Sequence, residues 1–361
     1  MDDSVVLSMK KINMTFPGVK ALNDVDFTLR KGEIHALMGE NGAGKSTLIK
    51  VLTGVHTMDS GEIHIDGIRH AVINHSPKDA QKVGISTVYQ EVNLCANLSV
   101  AENIFVGRHP LNAMRGVRWT VMNKRAGEAL ANVGLENIDV TKTLGEHSVA
   151  IQQMVAIARA VYFNCKVLIL DEPTSSLDEY EVAKLFSCMR RLKERGVGII
   201  FVTHFLEQVY EVCDAITVLR NGDLVGRFDI KDLPRVQLVA RMLGHEFDDL
   251  ASIRVPEYER QAQTNAPEVI RAVGLSHEGT IKPFDIEIRK GEVVGLTGLL
   301  GSGRSELARA LYGADQPDSG ELFFKTSPLK AHEPVDAIKA GMAYLPEDRK
   351  EESIIGELSI R

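Results

Sequence analysis

A chain of 361 residues, 44% of them hydrophobic, is long enough for two domains, each burying its own core. Lys and Arg number 42 against 49 Asp and Glu, and the formal charge of −7 excludes the strongly basic balance of a protein whose main partner is nucleic acid. Four cysteines (Cys95, Cys165, Cys188 and Cys213) without C-x-x-C spacing fit reduced cytosolic thiols rather than disulfides or zinc, and no apolar run approaches the ~18 residues of a membrane span. With no N-terminal apolar h-region either, a soluble chain is expected, its membrane contact, if any, made through a partner.

The first element is a weakly alternating strand at Val5 to Met9, after which Phe16 enters a turn set by Pro17-Gly18. An aromatic so close to the loop that follows can stack on a flat ring or cover core, and the sequence leaves both open. Phe27 to Arg30 reads as a strand and Lys31-Gly32 as a tight turn into the apolar run Ile34 to Met38. That run feeds Gly39-Glu40-Asn41-Gly42-Ala43-Gly44-Lys45-Ser46-Thr47, which has Walker A spacing between a buried strand and a helix running to Leu52. Its glycines allow a nest of inward N–H groups, and the helix turns its positive end to the same spot. An anionic triphosphate fits there, with Lys45 on the β- and γ-phosphates and the Ser46 hydroxyl on Mg²⁺.

Asp59 to Gly67 reads as turn, strand and turn, and Gly84 to Tyr89 as a strand ending on Gln90. Gln90 either reaches a metal-bound water or is an exposed polar residue. From about Val100 to Ala160 the pattern turns helical: Lys124 to Val133 carries one apolar face, and a second helix runs from about Val149 to Val161 with Ser148 as N-cap. Lys166 to Leu170 then reads as a parallel strand covered on both faces, ending in Asp171-Glu172 at the edge where α/β sheets bind ligands. There Asp171 can hold Mg²⁺ through water, and Glu172 can orient or deprotonate an attacking water. Glu181 to Leu192 is an amphipathic helix, and the strand Gly198 to Thr203 ends on His204, which either reaches a γ-phosphate or is structural. Ala215 to Leu219 and Arg220-Asn221-Gly222-Asp223 make a hairpin, Pro234 to Leu243 a helix, and residues 247–266 a linker. The domains expected are thus 1–246, and 267–361 beyond the linker.

The second domain repeats the first. K-G-E-I-H-A-L-M-G-E-N-G-A-G-K-S at Lys31 recurs as K-G-E-V-V-G-L-T-G-L-L-G-S-G-R-S at Lys290, a shift of 259 positions that D-S-G-E at Asp59 and Asp318 shares. V-G-I-S-T-V-Y-Q-E at Val83 matches A-G-M-A-Y-L-P-E-D at Ala340, and duplication is the economical explanation. The second copy carries Arg304 for Lys45 and Glu306 for Thr47, and nothing in it corresponds to Glu102 onward. The fold class expected is α/β: a P-loop NTPase domain with a helical insertion, then a partial second copy.

These residues together resemble an ABC-type ATPase. The tandem arrangement, with F-P-G-V-K-A-L, T-V-Y-Q-E-V-N-L, V-L-I-L-D-E-P-T and I-F-V-T-H-F-L, is similar to the ATP-binding subunits of bacterial monosaccharide importers. The resemblance implies that Phe16 stacks on adenine, Gly39 to Thr47 hold the phosphates of ATP, and Gln90 senses the metal and couples to a permease. It also implies Asp171 as Walker B acid, Glu172 as catalytic base, Ser176 to Asp178 as D-loop and His204 as switch histidine. The partners implied are membrane permease subunits and, through them, a periplasmic or extracellular binding protein for a sugar of the galactofuranose type or a related one, with the chain peripheral on the cytoplasmic side of the membrane. One departure stands out: the family's L-S-G-G-Q aligns with His147-Ser148-Val149-Ala150-Ile151, so Val149 and Ala150 replace two glycines that let the backbone approach a γ-phosphate. Such a signature is expected to leave the composite site that it completes weak, and a second copy lacking a signature to leave the chain alone a slow ATPase. A nucleotide-binding fragment without productive turnover is the alternative reading; the short linker and acidic balance speak against a tandem ABC protein acting on ribosomes.

Overall fold

The early apolar alternation belongs to two long strands, β1 (Val5–Phe16) and β2 (Val19–Arg30), which form an antiparallel hairpin across Pro17-Gly18. The run after Lys31-Gly32 becomes β3 (Ile34–Met38), buried at every residue, and leads through the glycine loop into α1 (Lys45–Leu52). β4 (Ser60–Ile65) pairs with the other edge of β1, so a three-stranded antiparallel sheet runs β2-β1-β4. Next come α2 (Pro77–Lys82) and β5 (Ile85–Val88), then the helical insertion of α3 (Val100–Phe105), α4 (Trp119–Val133) and α5 (Val149–Tyr162). The remaining elements are β6 (Val167–Asp171), α6 (Glu179–Glu194), β7 (Gly198–Val202), α7 (Leu206–Val212), the hairpin β8 (Ala215–Arg220) and β9 (Asp223–Asp229), and α8 (Arg235–Leu243). The computed structural model describes residues 4–68, 70–89, 94–175, 177–244, 266–298, 302–329, 333–346 and 353–359.

The six-stranded sheet has the order β5-β6-β7-β3-β8-β9, parallel throughout except for β9. Strand alternation divides its side chains between two cores. Ile34, Ala36, Leu168, Leu170, Ile199 and Phe201 pack with the helical insertion, whereas Leu37, Val167, Ile169, Ile200 and Val202 face α1 and the three-stranded sheet. Both faces are covered, which is why these strands read as continuous apolar runs.

Capping boxes fix two helix starts: α3 begins at the expected Val100, whereas α6 begins at Glu179, two residues upstream of the expected Glu181. Ser99 and Glu102 exchange side-chain and backbone hydrogen bonds at α3, and Asp178 and Glu181 do so at α6. Ser148 occupies the N-cap of α5 with extended backbone but makes no capping hydrogen bond; Gln152 reaches back instead, its Nε2 donating to His147 O at 2.9 Å.

The chain divides into two compact units, Met1–Ser252 and Ile253–Arg361. The linker expected at 247–266 lies, but for its last residue, outside the described residues. The second unit repeats the first element by element. β10 (Glu268–His277) and β11 (Ile281–Arg289) pair as β1 and β2 do, α9 (Arg304–Tyr312) stands where α1 stands, and β12 (Ser319–Phe324) joins β10 as β4 joins β1. A short β13 (Ser327–Pro328) and α10 (Pro334–Ala340) follow, the latter matching α2. Even the turn chemistry recurs: Glu33 Oε2 accepts the Arg30 N–H at 2.6 Å, and Glu292 Oε2 accepts the Arg289 N–H at 2.7 Å. The likeness ends at residues 292–298, the counterpart of β3, which form no strand. Val293 is 96% exposed where Ile34 is fully buried. In the first unit β7 and β8 bond both edges of this segment, and no strand among the described residues of the second unit does so.

β3 also carries a buried polar cluster. His35 is fully buried, with Nδ1 3.3 Å from Glu33 Oε1 and Nε2 2.7 Å from Thr217 Oγ1 on β8, and the Arg227 guanidinium on β9 donates to the same Glu33 oxygen at 2.6 Å. A carboxylate only accepts, so neutral His35 carries its proton on Nδ1 and takes the Thr217 hydroxyl at Nε2. Burial pushes the His35 imidazole below its usual range. Burial would raise the Glu33 carboxyl, but the His35 ring, the Arg30 N–H and Arg227 together hold it down to about 2. An imidazole that resists protonation when folded contributes stability at pH above its unfolded value, about 6.5, and loses it as pH falls below that. Glu33 contributes above about 4.5 and loses its share toward pH 2. The urea midpoint of the first unit, followed by its single tryptophan Trp119, is therefore expected to fall between pH 7.5 and 5.5. The fall should be smaller in His35→Gln, and equal pH slopes in the two proteins would rule the cluster out as the cause.

Candidate phosphate-binding site

Three loops meet at the carboxyl edge of the six-stranded sheet. The first leaves β3 at Gly39 and enters α1 at Lys45, with Gly44 as a left-handed N-cap at φ 104°. Neighbouring backbone presses on this loop from two sides. A Cβ on Gly39 would stand 2.3 Å from Leu219 O, and one on Gly44 2.7 Å from Ala21 O, so only glycine fits at either position. The Asn221-Gly222 turn of the β8–β9 hairpin fastens the loop further: Gly222 N donates to Ala43 O at 3.1 Å, and Gly222 O accepts from Asn23 N at 2.9 Å. Lys45 turns its ammonium back over the loop, donating to Gly39 O at 2.6 Å and Glu40 O at 2.9 Å. Burial lowers its pKa, and Glu172, Asp171 and Glu40 oppose that shift.

The second loop leaves β6 at Asp171-Glu172. Burial, and then the neighbouring Glu172 charge, raises the Asp171 carboxyl, with Lys45 and Lys50 pulling the other way. Glu172 has φ 47°, a left-handed conformation that a residue with a side chain keeps only where its surroundings impose it. Here its N–H donates to Val202 O on β7 at 2.9 Å, and its carbonyl accepts the Ser175 hydroxyl at 3.2 Å. The third loop follows β7 and places His204 Nδ1 3.5 Å from Glu172 Oε2.

Gln208, on α7, joins the second loop to the third. Its Oε1 accepts from the Thr174 hydroxyl at 2.7 Å and from the Thr203 hydroxyl at 3.4 Å, while Thr203 Oγ1 accepts the Phe205 N–H at 3.1 Å. Both threonines are buried. Sequence inspection missed Gln208, because its partners lie 34 and 5 residues away and no motif marks it.

Two cavities open on Lys45 and Glu172. One of about 490 Å³ lies between the glycine loop and β2, reaching Ser46, Thr47 and Asp171. The other, of about 580 Å³, runs past Glu40, Thr203 and His204 to an apolar wall of Val239, Met242 and Leu243 on α8. The structure thus brings Gly39, Glu40, Asn41, Gly42, Ala43, Gly44, Lys45, Ser46, Thr47, Asp171, Glu172 and His204 to one edge. Phe16 is half-buried on the adjoining core, edge-on to His56, and is not among the residues lining either cavity. Its ladder partner Val19, with Lys20 and Ala21, forms the β2 wall instead; the sequence signals these only as residues just past Pro17-Gly18. Gln90 and Ser176 lie outside the described residues.

The donor set suits a polyphosphate that brings a divalent cation with it. Backbone N–H groups at the start of α1 and one ammonium favour the anion, whereas two carboxylates beside them repel it unless a cation intervenes. Among the described residues no group of three or more His, Cys, Asp or Glu forms a cage that would hold a metal by itself.

The chain matches the ABC transporter family over residues 22–175 and 281–360. It is 49% identical over 360 residues to the fructose import ATP-binding protein FruK of Bifidobacterium longum, covering all of this chain and 70% of that protein. It is 50% identical over 356 residues to the galactofuranose transporter ATP-binding protein YtfR of Escherichia coli K12, covering 99% and 70%. Among solved structures it is similar to CbiO1 of Clostridium perfringens, part of the ABC transporter complex CbiONQ, at 25% identity and a TM-score of 0.55 over 72% of this chain and 99% of that one.

Gln208→Leu removes the acceptor that two buried hydroxyls share, and an unpaired buried hydroxyl costs about 1–3 kcal/mol. Gln208→Glu keeps an oxygen there and should retain most of the stability. Urea unfolding of the three proteins decides the matter: wild-type stability in Gln208→Leu would contradict the relay.

Proposed function

This chain belongs to the ABC transporter family and is an ATP-binding ATPase, and we propose that it energises a bacterial importer of a monosaccharide by hydrolysing Mg-ATP at the edge where β3, β6 and β7 end. The observation that carries the reading is the grouping of Lys45, Asp171, Glu172 and His204 around one glycine loop. In this reading residues 39–47 hold the triphosphate, Lys45 exchanging its two loop carbonyls for the β- and γ-phosphates. Ser46 and Asp171, with Gln90, would hold Mg²⁺, which neutralises phosphate charge when bound. Glu172 takes a proton from the attacking water as its oxygen bonds to the γ-phosphorus; the bond to the β-phosphate oxygen breaks, ADP leaves, and Glu172 returns the proton to the departing phosphate. His204, 3.5 Å from that carboxylate, orients it. Phe16 and Val19 flank the base, Phe16 by turning from His56.

Sugar import follows from the relatives, named for fructose and galactofuranose. The partners are then a permease and, through it, an extracytoplasmic sugar-binding protein, which together choose the sugar. The chain works on the cytoplasmic side of the membrane, and among the described residues no helix is long and apolar enough to cross it. The half-exposed Val149 at the first turn of α5 stands where the family signature has glycine, so the composite site that this signature completes, and not the one built on Lys45, is the slower one.

Lys45→Ala removes a charge-assisted contact of about 1.5–3 kcal/mol, so ATP affinity should fall tenfold or more. Glu172→Gln keeps the shape and loses the basicity, so the variant should bind ATP as the wild type does and not turn it over. Titration with a fluorescent ATP analogue and phosphate release, measured with permease present, check both. Undiminished binding in the first variant, or wild-type turnover in the second, would overturn the assignment.

A further inference from the structure

The insertion between α3 and α4 is charged unlike the rest of the chain. From Asn103 to Gly127 there is no Asp or Glu, while Arg108, Arg115, Arg118, Lys124 and Arg125 all fall there, in a chain of formal charge −7. All five side chains are exposed. Arg108 is engaged, donating to Gln81 Oε1 at 2.9 Å and lying 4.2 Å over the Phe163 ring. None of the other four takes part in an ion pair among the described residues.

The loop that carries Arg115 is built rather than slack. Leu111 and Val117 form an antiparallel bridge, Asn112 N donates to Gly116 O at 2.9 Å, and Arg118 N donates to Pro110 O at 2.8 Å. Asn112 Oδ1 accepts the N–H of both Met114 and Gly116, at 3.0 and 2.8 Å, and Arg115 sits in the left-handed region at φ 59°. This frame holds apolar side chains out among the cations: Met114 is 90% exposed, Trp119 53% and Leu111 50%. Cations without carboxylate partners, interleaved with an aromatic and long apolar side chains, suit a layer of phosphate headgroups over acyl chains.

We propose that the loop from Arg108 to Trp119 is a membrane-contact surface that binds the headgroups of anionic phospholipids and inserts Met114, Leu111 and Trp119 at the headgroup boundary. The proposal adds a direct lipid contact to the contact through a partner that the sequence leads one to expect. It rests on the importer reading only for the reason why the chain works beside a bilayer. A basic residue near an anionic surface contributes about fivefold to partitioning, so Arg115 and Arg118 together contribute at least tenfold.

Trp119 is the chain's single tryptophan and reports on the surface directly. The whole chain is mixed with vesicles of phosphatidylcholine, alone or with about 30 mol% phosphatidylglycerol, and followed by co-sedimentation and Trp119 emission. Binding and a blue shift are expected with the anionic vesicles only, and both should weaken in about 0.5 M NaCl. The double variant Arg115→Glu/Arg118→Glu should bind at least tenfold less while keeping its nucleotide affinity, which shows that it is folded and leaves the ATPase reading untouched. Met114→Ala/Leu111→Ala should reduce the shift. Equal binding to both vesicle types, or undiminished binding by the charge-reversed variant, would overturn the proposal. So would an absence of vesicle binding where the same charge reversal abolishes capture of detergent-solubilised permease, which would make the loop a protein contact.

Discussion

Everything at the site depends on β3 being bonded along both edges. With β7 on one side and β8 on the other, Ile34 to Met38 are buried and hydrogen-bonded along both edges, and the glycine loop starts from there. The chain contains its own control. Lys290 to Ser305 repeats the sequence of Lys31 to Ser46, yet residues 292–298 have no strand on either edge among the described residues and form none themselves. Leu345, the counterpart of Val88 on β5, is likewise 79% exposed against 4%. A strand's apolar pattern states which neighbours it needs and does not supply them. Hairpins close locally, so β10 and β11 form as β1 and β2 do.

On that frame, charge does the rest. Lys45 faces two carboxylates and two loop carbonyls, and burial lowers its pKa while raising that of Asp171, so each disfavours its charged form unless the other is near. On the reading proposed above, an anion that carries its own cation suits this balance. Below it, Glu33, His35, Thr217 and Arg227 tie β3 to β8 and β9, the hairpin whose turn fastens the glycine loop through Gly222. A polar cluster and a phosphate loop at opposite ends of one short strand thus share the same neighbours.

The parts legible in the sequence are those written in adjacent residues. The glycine loop, Asp171-Glu172, His204, the Asn221-Gly222 turn and the internal repeat are local patterns, and their strand and helix contexts follow from apolar period. The parts that stayed hidden are assembled across the chain. Gln208 serves two loops through its amide oxygen, the α8 wall of Val239, Met242 and Leu243 lies beyond the last strand, and Val19 rather than Phe16 lines the β2 side. The start of α3 at Val100 is legible from the apolar period, whereas α6 starts at Glu179 because the Asp178 capping box precedes the apolar period that begins near Glu181. The basic stretch around Arg115 is plain in the residue list; that it is a hydrogen-bonded, exposed loop is not, because Asn112 closes it with an interaction no pattern announces.

The central claim is that phosphate binding balances Lys45 against Asp171 and Glu172, with a cation making up the difference. It is tested most directly by calorimetric titration of ATP into the wild type and Asp171→Asn, each with Mg²⁺ and with EDTA. Removing one negative charge should weaken binding of Mg-ATP and strengthen binding of free ATP, so the substitution changes sign with the metal. A variant weaker, or stronger, than the wild type under both conditions would contradict the account.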